Sequence, residues 1–551
     1  MKFLSNSVVR ELARIYYQYW WILLLLILVN IVILFYLNKF LARNKNFYPR
    51  NKNINLPKIY FNHVYLILAL SVILLIYKIY SLPSGSYDSM ESANLSYSGI
   101  IPDSLINLIS HLVTSAHQPL YHVMLNLIGK FNRYNSDFFF RLPSIIFGVL
   151  SSLGVYCISY KIFKSRFISY VSFFLLNFHA LFLWYSQRVE TYTFFCFLSL
   201  VSYYFFWEIF FEGKEKRMFA YLFINVLGFL THYAALFVIF SQGITIILAS
   251  LHDTVKKNIL FLKTLVIFNF VLIIWLPVLS LSFIHNPDVF HDRWGDSFYL
   301  DKKNLFFVLN NIFMQILNTP NLILGCFVFI LIIYVVFELR KYNRGFYYIV
   351  IGILCSSVLY ELSFIYSMIR IVGRLYFNVR HILWLVPFFI ILYSFGLKRF
   401  LSIKKSVLSV FFSSILLVGF SIKTFSSNSI KYSPVSPDYK AALNYIDNNW
   451  AKGDFVGWPL SWCNSSIKIH SMGNTNYNNQ DFGVINYLNL EEVSNQYKRI
   501  WVILPYEYIL NVPHMDPDSL HNYKKLLMAQ LHVKNSWHGR KIDVYLFTLN
   551  E

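Results

Sequence analysis

Charge is scarce in this chain, and negative charge most of all. Of 551 residues only 14% are Asp, Glu, Lys or Arg, with 27 acids against 48 bases, while 57% are hydrophobic and 19% aromatic. The apolar runs are too long for ordinary soluble helices, which excludes a soluble globular domain and leaves a polytopic membrane protein. Cysteine is also sparse. Cys157, Cys196, Cys326 and Cys355 fall in apolar runs and Cys463 alone lies in the polar C-terminal tail, so the tail has no internal disulfide. No CxxC string occurs, which excludes the common metal and redox motifs, and no heptad, solenoid period or long low-complexity tract is present. The first apolar run, Trp20 to Leu37, lacks a small-residue cleavage site and is read as a membrane helix rather than a removable signal.

The formal charge of +21 is unevenly placed. From Lys431 onward acids and bases balance at eleven each, so the excess lies in the first 430 residues. That distribution points to membrane topology and lipid contact, and away from nucleic acid. Lys39, Arg43, Lys45, Arg50, Lys52 and Lys58 form an acid-free connection between Leu37 and Ile59. Cytoplasmic loops carry such an excess of Lys and Arg, so the next connection, from Leu82 to about Arg141, is expected outside. The alternation continues. Bases follow the runs ending near Tyr160, Phe211, Leu251, Phe337 and Leu397, at every second loop.

The expected fold is an all-α polytopic membrane protein of about twelve transmembrane helices, with the tail as a small extracytoplasmic α/β domain. Residues 1–58 form an extra N-terminal helix and basic loop, 59–283 a catalytic membrane module with outer loop 82–141, and 284–429 an outer loop and further helices. Residues 430–551 form the tail. His117 to Lys130 would break the alternation if it crossed, and it is short for a span. It is expected to lie as an interfacial helix in the first outer loop, started by Pro119, whose missing N–H leaves nothing unpaired in a first turn. In the tail, a helix from Ser436 to Asn449 with Ser436 as N-cap precedes strands at 454–458, 500–504 and 542–547.

Chemistry collects in the first outer loop. Asp88 and Glu91 follow a membrane helix by eight and eleven residues, where carboxylates serve as general base, as ligands to a divalent metal, or as solvated loop residues. Cations for an anionic ligand are Arg370 and Arg374, spaced i and i+4, with Arg380 at the next helix start, and Arg141 and Arg188 at outer helix ends. The bland reading of these arginines is contact with ordinary lipid headgroups, and Arg141 has Asp137 or Glu91 as a partner that would hold the loop. His285 and His291, in HNPDVFHDRW, are weak metal candidates whose spacing matches no strong zinc pattern.

These strings, taken in order, resemble a family. An outer acidic motif, then His117-Gln118-Pro119-Leu120, then Arg141-Leu142-Pro143-Ser144 with Gly148, then LWYSQRVETY and LTHYAALF, is similar to the polyprenyl-phosphate-dependent glycosyltransferases of the GT-C superfamily. Protein mannosyltransferases and aminoarabinose transferases give the nearest pattern, across roughly residues 60–278. The resemblance implies transfer of a sugar from a polyprenyl-phosphate donor to a lipid, glycan or protein acceptor on the outer face of a membrane, as in a bacterial inner membrane. It implies an outer-loop carboxylate as base, arginines on the leaving phosphate, and His117, Tyr121, His232 and Tyr233 positioning substrate. A divalent metal is the one cofactor considered. Two departures stand out. The usual adjacent acid pair is split as Asp88-Ser89-Met90-Glu91, with Asp88 favoured as base, and Arg188 precedes Glu190 where the family commonly has the reverse order. Two rival classes share the composition: a transporter or flippase of lipid-linked glycans, and a non-catalytic binder of lipid-linked sugar.

Overall fold

The computed structural model describes residues 61–80, 91, 94–95, 118–131, 137–250, 317–318, 322–372, 383–403, 438–458, 482–484, 493, 496–505, 532–539 and 542–548. The extra N-terminal helix expected at residues 20–37 lies outside them. Helix α1 spans Phe61–Tyr80, α2 Pro119–Phe131, α3 Asp137–Phe163, α4 Arg166–Asn177, α5 Ala180–Tyr185 and α6 Tyr192–Phe210. After a 3-10 turn at Glu215–Arg217 come α7 Met218–Phe229, α8 Ala235–Ser250, α9 Leu322–Tyr342, α10 Arg344–Val372 and α11 Val386–Ile403. Among the described residues Phe138–Phe163, Tyr192–Phe210 and Leu383–Ser402 are long and apolar enough to cross a membrane.

Helix α6 is the axis of the bundle. It is apolar all round and most of its residues are buried, including Phe195, Cys196, Leu200, Tyr203 and Phe206. A helix with no polar face has to be surrounded, here by α3, α7 and α8. Small and hydroxylic side chains bring the helices close, since packing and interhelical hydrogen bonds, rather than expulsion of water, hold helices together in lipid. Tyr221 donates to Gln242 Oε1 (2.6 Å), Gln242 Nε2 to Ser202 Oγ (2.9 Å), Ser202 Oγ to Asn225 Oδ1 (2.9 Å), and Asn225 Nδ2 back to the Tyr221 carbonyl (2.8 Å). This closed ring ties α6, α7 and α8 together, and Tyr203 and Ser241 are hydrogen-bonded beside it.

One end of the bundle is basic. The C-terminal ends of α3, α6, α9 and α11 meet the N-terminal ends of α4, α7 and α10 there. Lys161 and Lys214 both reach Glu208 (2.8 Å each) and Glu212 (3.0 and 2.9 Å). Asn343 donates to the Ile162 carbonyl, Lys398 to Ser165 Oγ, and Arg399 to Glu338. Burial pulls the Lys214 amine down, but its hydrogen bonds to Glu208 and Glu212 outweigh that and raise its pKa. Gly213, at φ +73°, lets the chain turn back after α6, with its N–H on the Ile209 carbonyl and that of Lys214 on the Glu208 carbonyl.

The tail is a small α/β unit. Helix α12 (Tyr439–Asn449) lies on a five-stranded sheet of order β2-β1-β3-β5-β4: β1 Asp454–Trp458, β2 Phe482–Val484, β3 Arg499–Pro505, β4 His532–Gly539 and β5 Ile542–Thr548. Strand β1 runs parallel to β2 and β3, and β5 antiparallel to β3 and β4. Tyr439, Ala442, Leu443 and Ile446 recur at i, i+3, i+4 and i+7 and form the buried stripe of α12. Three strands fall where the sequence places them, while β2 and β4, short or polar, carry no alternation to announce them. The N-cap needs correction: Asp438, not Ser436, caps the helix, its carboxylate accepting from Ala441 N at 3.1 Å. A charged acceptor three residues before an open amide fits a helix N-terminus at least as well as a hydroxyl does. Trp458 and Trp501 are fully buried and Tyr445 stacks on Trp537, so these tail aromatics build a core.

Candidate active site

The RLPS string opens helix α3, and its spacing explains what it does. Arg141, Ser144, Gly148 and Ser151 sit at i, i+3, i+7 and i+10, one stripe down a helix face. That face meets the turn Ser186–Thr191 between α5 and α6. Ser144 Oγ donates to the Glu190 carbonyl (3.1 Å) and shares a hydrogen bond with the Tyr121 hydroxyl (3.0 Å). Thr193 Oγ1 donates to the Ser144 carbonyl (3.2 Å). A Cβ on Gly148 would stand 2.7 Å from Ser186 Cβ, so the residue is glycine because the turn occupies the space a side chain would need.

At the head of the stripe Arg141 grips Glu91. Its Nε lies 3.0 Å from Oε1 and its Nη2 3.0 Å from Oε2, and the two side chains are only 3% and 4% exposed. This two-pronged geometry suits a planar guanidinium and a carboxylate, and burial makes it costly to break. Glu91 Oε1 also accepts the Val189 N–H (3.0 Å), and Asn94 Nδ2 donates to the Val189 carbonyl (2.8 Å). Both backbone groups of Val189 are therefore taken by the first outer loop. Arg188 pairs with Glu190 (Nε to Oε1, 3.3 Å) and its guanidinium covers the Trp184 ring at 4.7 Å. The exchanged order of these charges thus keeps them in contact.

Helix α2 starts at Pro119, as its sequence predicts, and at 13 residues it reaches about 20 Å, short of a bilayer core. Tyr121 and Leu125 bury against Leu95, Phe140, Val189, Phe194 and Leu198, and the Leu120 N–H binds the Leu230 carbonyl (2.8 Å). His122 Nδ1 is 3.3 Å from the Asn94 carbonyl. His232 is buried at the start of the turn into α8, stacks on Phe195 at 5.1 Å, and its Nδ1 accepts the Ala234 N–H. Tyr233 is half-buried against the main core.

The structure thus brings Glu91, Arg141, Arg188 and Tyr121 to one end of the bundle, with His232 beside α2. Asp88, His117, Arg374, Arg380, His285, His291 and the side chain of Arg370 lie outside the described residues. Among the described residues no group of three His, Cys, Asp or Glu could hold a metal ion. Glu91, the one metal candidate within them, has its carboxylate committed to Arg141 and the Val189 amide, a setting that does not fit a divalent cation. Sequence reasoning named Ser144 and Gly148 only as letters of the RLPS string, with no role in the site, and passed over Val189. The i, i+3, i+7 spacing of the first two with Arg141 was their readable signal; a backbone amide has none.

Residues 116–280 match the family model described as "Dolichyl-phosphate-mannose-protein mannosyltransferase". No curated protein matches the chain. Among solved structures the fold is similar to ArnT from Cupriavidus metallidurans bound to undecaprenyl phosphate, at 10% identity and a TM-score of 0.55. It is likewise similar to the same protein in the apo state, at 12% identity and a TM-score of 0.53. Each comparison covers 88% of this chain and 98% of the other. The chain is an integral membrane protein, and the likeness of fold reaches well beyond the matched segment, over 88% of the chain. Identity this low carries the fold and leaves the site to be argued from its own residues.

Proposed function

We propose that this protein is a GT-C type glycosyltransferase that transfers a sugar from a polyprenyl-phosphate donor to a hydroxyl of an acceptor on the outer side of the membrane. The observation that carries the reading is the convergence of three separate strings at Glu91. The first outer loop supplies the carboxylate, RLPS supplies Arg141, and SQRVE supplies the Val189 amide. The binding of undecaprenyl phosphate by the ArnT of like fold, and the mannosyltransferase family match, support the same donor class.

In this reading Asp88 is the general base. It takes the acceptor's hydroxyl proton as that oxygen bonds to the anomeric carbon, and the bond from that carbon to the phosphate oxygen breaks with the electron pair leaving on the lipid phosphate. Glu91 is a positioning residue, since both its oxygens are already bound. Arg141 holds Glu91, and the leaving phosphate falls to Arg188, Arg370, Arg374 and Arg380, where fixed cations stabilise developing negative charge in a low-dielectric setting. His117, Tyr121, His232 and Tyr233 line the approach.

The test is transfer from a labelled polyprenyl-phosphate sugar by membranes carrying wild type or Asp88→Asn. We expect the variant to lose about 10²–10⁴ in turnover, the usual worth of a general base. Full turnover by Asp88→Asn removes the base assignment, and binding of donor by wild type without transfer to any acceptor removes the transferase reading.

A further inference from the structure

Two lysines of the bundle end on serine hydroxyls. Lys78, in the last turn of α1, is wholly buried at the same end as Glu91 and donates to Ser186 Oγ at 2.7 Å. Lys398, near the end of α11, is half-buried at the basic end and donates to Ser165 Oγ at 3.0 Å. Ser165 is the N-cap of α4, and its hydroxyl also accepts the Ile168 N–H. Among the described residues no carboxylate lies within ion-pair distance of Lys398. A charge partly withdrawn from water without a counter-charge is costly, so an anion is wanted there. Lys164, next in the chain to Ser165, has no acid partner among the described residues either, and its side chain is exposed. It closes α3 at φ +49°, with its N–H on the Tyr160 carbonyl (2.9 Å). Glycine or asparagine is the easier residue in that left-handed position, so the lysine is kept there against its backbone preference. The nearby carboxylates are already shared: Glu208 by Lys161, Lys214 and Arg217, Glu212 by Lys161 and Lys214, and Glu338 by Lys341 and Arg399.

Aromatic rings lie against these cations. Phe163 packs edge-on to Phe346 (5.2 Å) and stacks on Phe395 (5.0 Å), which sets α3, α10 and α11 against one another. Phe167, in the first turn of α4, is an exposed apolar side chain beside Ser165. The two apolar stretches Phe138–Phe163 and Leu383–Ser402, each long enough to cross a membrane, both end here, at the depth where lipid headgroups lie. Surplus positive charge beside exposed apolar surface at that depth suits a ligand that is anionic at one end and apolar at the other. We propose that Lys398, Lys164 and Ser165, at the joint of α3, α4 and α11, form a binding site for the phosphate of an anionic phospholipid whose acyl chains lie along Phe167. The phosphodiester accepts from the two ammoniums and supplies the counter-charge that Lys398 lacks, while Ser165 Oγ holds Lys398 to the turn between α3 and α4. Arg141 and Lys164 stand about 35 Å apart along α3, so this site is separate from the one around Glu91 and does not depend on sugar transfer.

The experiment titrates the detergent-solubilised full chain with phosphatidylglycerol, phosphatidylcholine or inorganic phosphate and follows thermal unfolding, since a ligand bound by the folded state alone raises Tm. Phosphatidylglycerol is expected to raise Tm saturably by about 3 °C or more, and the other two to leave it unchanged at the same concentration. Lys164→Gln is expected to raise the half-saturating phosphatidylglycerol about fivefold, and Lys164→Gln with Lys398→Gln about 20-fold, the worth of one base and of two near an anionic headgroup. Lys216→Gln with Arg340→Gln removes the same charge from exposed positions of the same end and is expected to shift half-saturation less than about twofold. Equal weakening by the two double variants means a diffuse field and overturns the site. An equal response to inorganic phosphate overturns the lipid, and no response to phosphatidylglycerol overturns the whole proposal. Should the chain with Lys398→Gln fail to fold, Lys164→Gln, a change at an exposed side chain, carries the same titration, and half-saturation equal to wild type then overturns the proposal.

Discussion

Glu91 and Arg141 show how one residue pair can be worth little when whole and a great deal when halved. The two charges left water together, and their mutual attraction roughly offsets that desolvation. Removing only the arginine strands a carboxylate at 4% exposure without the guanidinium that matched its charge. Arg141→Met is therefore expected to destabilise the protein by about 3–5 kcal/mol. Glu91→Gln combined with Arg141→Met should recover most of that loss. Thermal unfolding in detergent, with the folded fraction from gel filtration, measures both, and a double variant as unstable as Arg141→Met alone would show that the pair is not what is being broken. The sequence offered Asp88 and Glu91 as near equals, and offered Arg141 both a loop partner and a phosphate. Distance along the chain separates neither choice, because Glu91 meets Val189 across 98 residues and Arg141 across 50. Such pairings become visible only once α3 and α6 are laid side by side.

At the scale of elements, α3 is a ruler against which the turn Ser186–Thr191 is set. Arg141, Ser144 and Gly148 mark it at one-turn and two-turn intervals, and any side chain at the third mark pushes the turn away. Gly148→Ala is expected to cost about 1–3 kcal/mol by overpacking and to lower transfer activity with it. Ser186→Gly placed in the same chain removes the clashing Cβ and should restore the stability though not the Lys78 contact. Melting of the single and double variants decides this, and additive losses would mean that Gly148 and Ser186 do not share the space. The helices themselves were legible from hydropathy, since an apolar run of this length has few other fates, and α2 was legible from Pro119 and from its shortness. The tail was legible in its central strands, where Phe455, Val456 and the run from Ile500 to Leu504 are buried apolar residues. Its edges were not: β4, with the exposed residues Lys534, Asn535 and Ser536, is held by pairing to β5 rather than by its own pattern.

For the whole molecule, the bundle has two unlike ends. Among the described residues, Lys161, Lys214, Arg217, Lys398 and Arg399 gather at one end with Glu208, Glu212 and Glu338, bases in excess, and at the other Arg141 pairs with Glu91 and Arg188 with Glu190. An excess of bases marks the cytoplasmic side, so the matched end should face outward. A cysteine introduced by Lys216→Cys is then expected to react with an impermeant maleimide only in inside-out vesicles, and a phosphatase fused after Glu551 to be active outside the membrane. Labelling of the cysteine in intact cells would invert the orientation and move the site to the wrong face for a lipid-linked donor. This polarity was readable because loop charge is a property of composition, which needs no contact map.

The doubly occupied backbone of Val189 has a consequence for how the molecule is made. Its N–H and carbonyl are claimed by Glu91 and Asn94, residues translated about a hundred positions earlier, and Ser186 is likewise claimed by Lys78. The segment that would carry the base therefore enters the membrane system long before the surface that receives it exists. Until α3, α4 and α5 have been inserted, Lys78 and Glu91 have to wait beside a bilayer without their partners. Assembly of the outer end is thus a late event, completed when the turn ahead of α6 emerges, and a nascent protein of this kind has no means of beginning its chemistry before half of its bundle is in place.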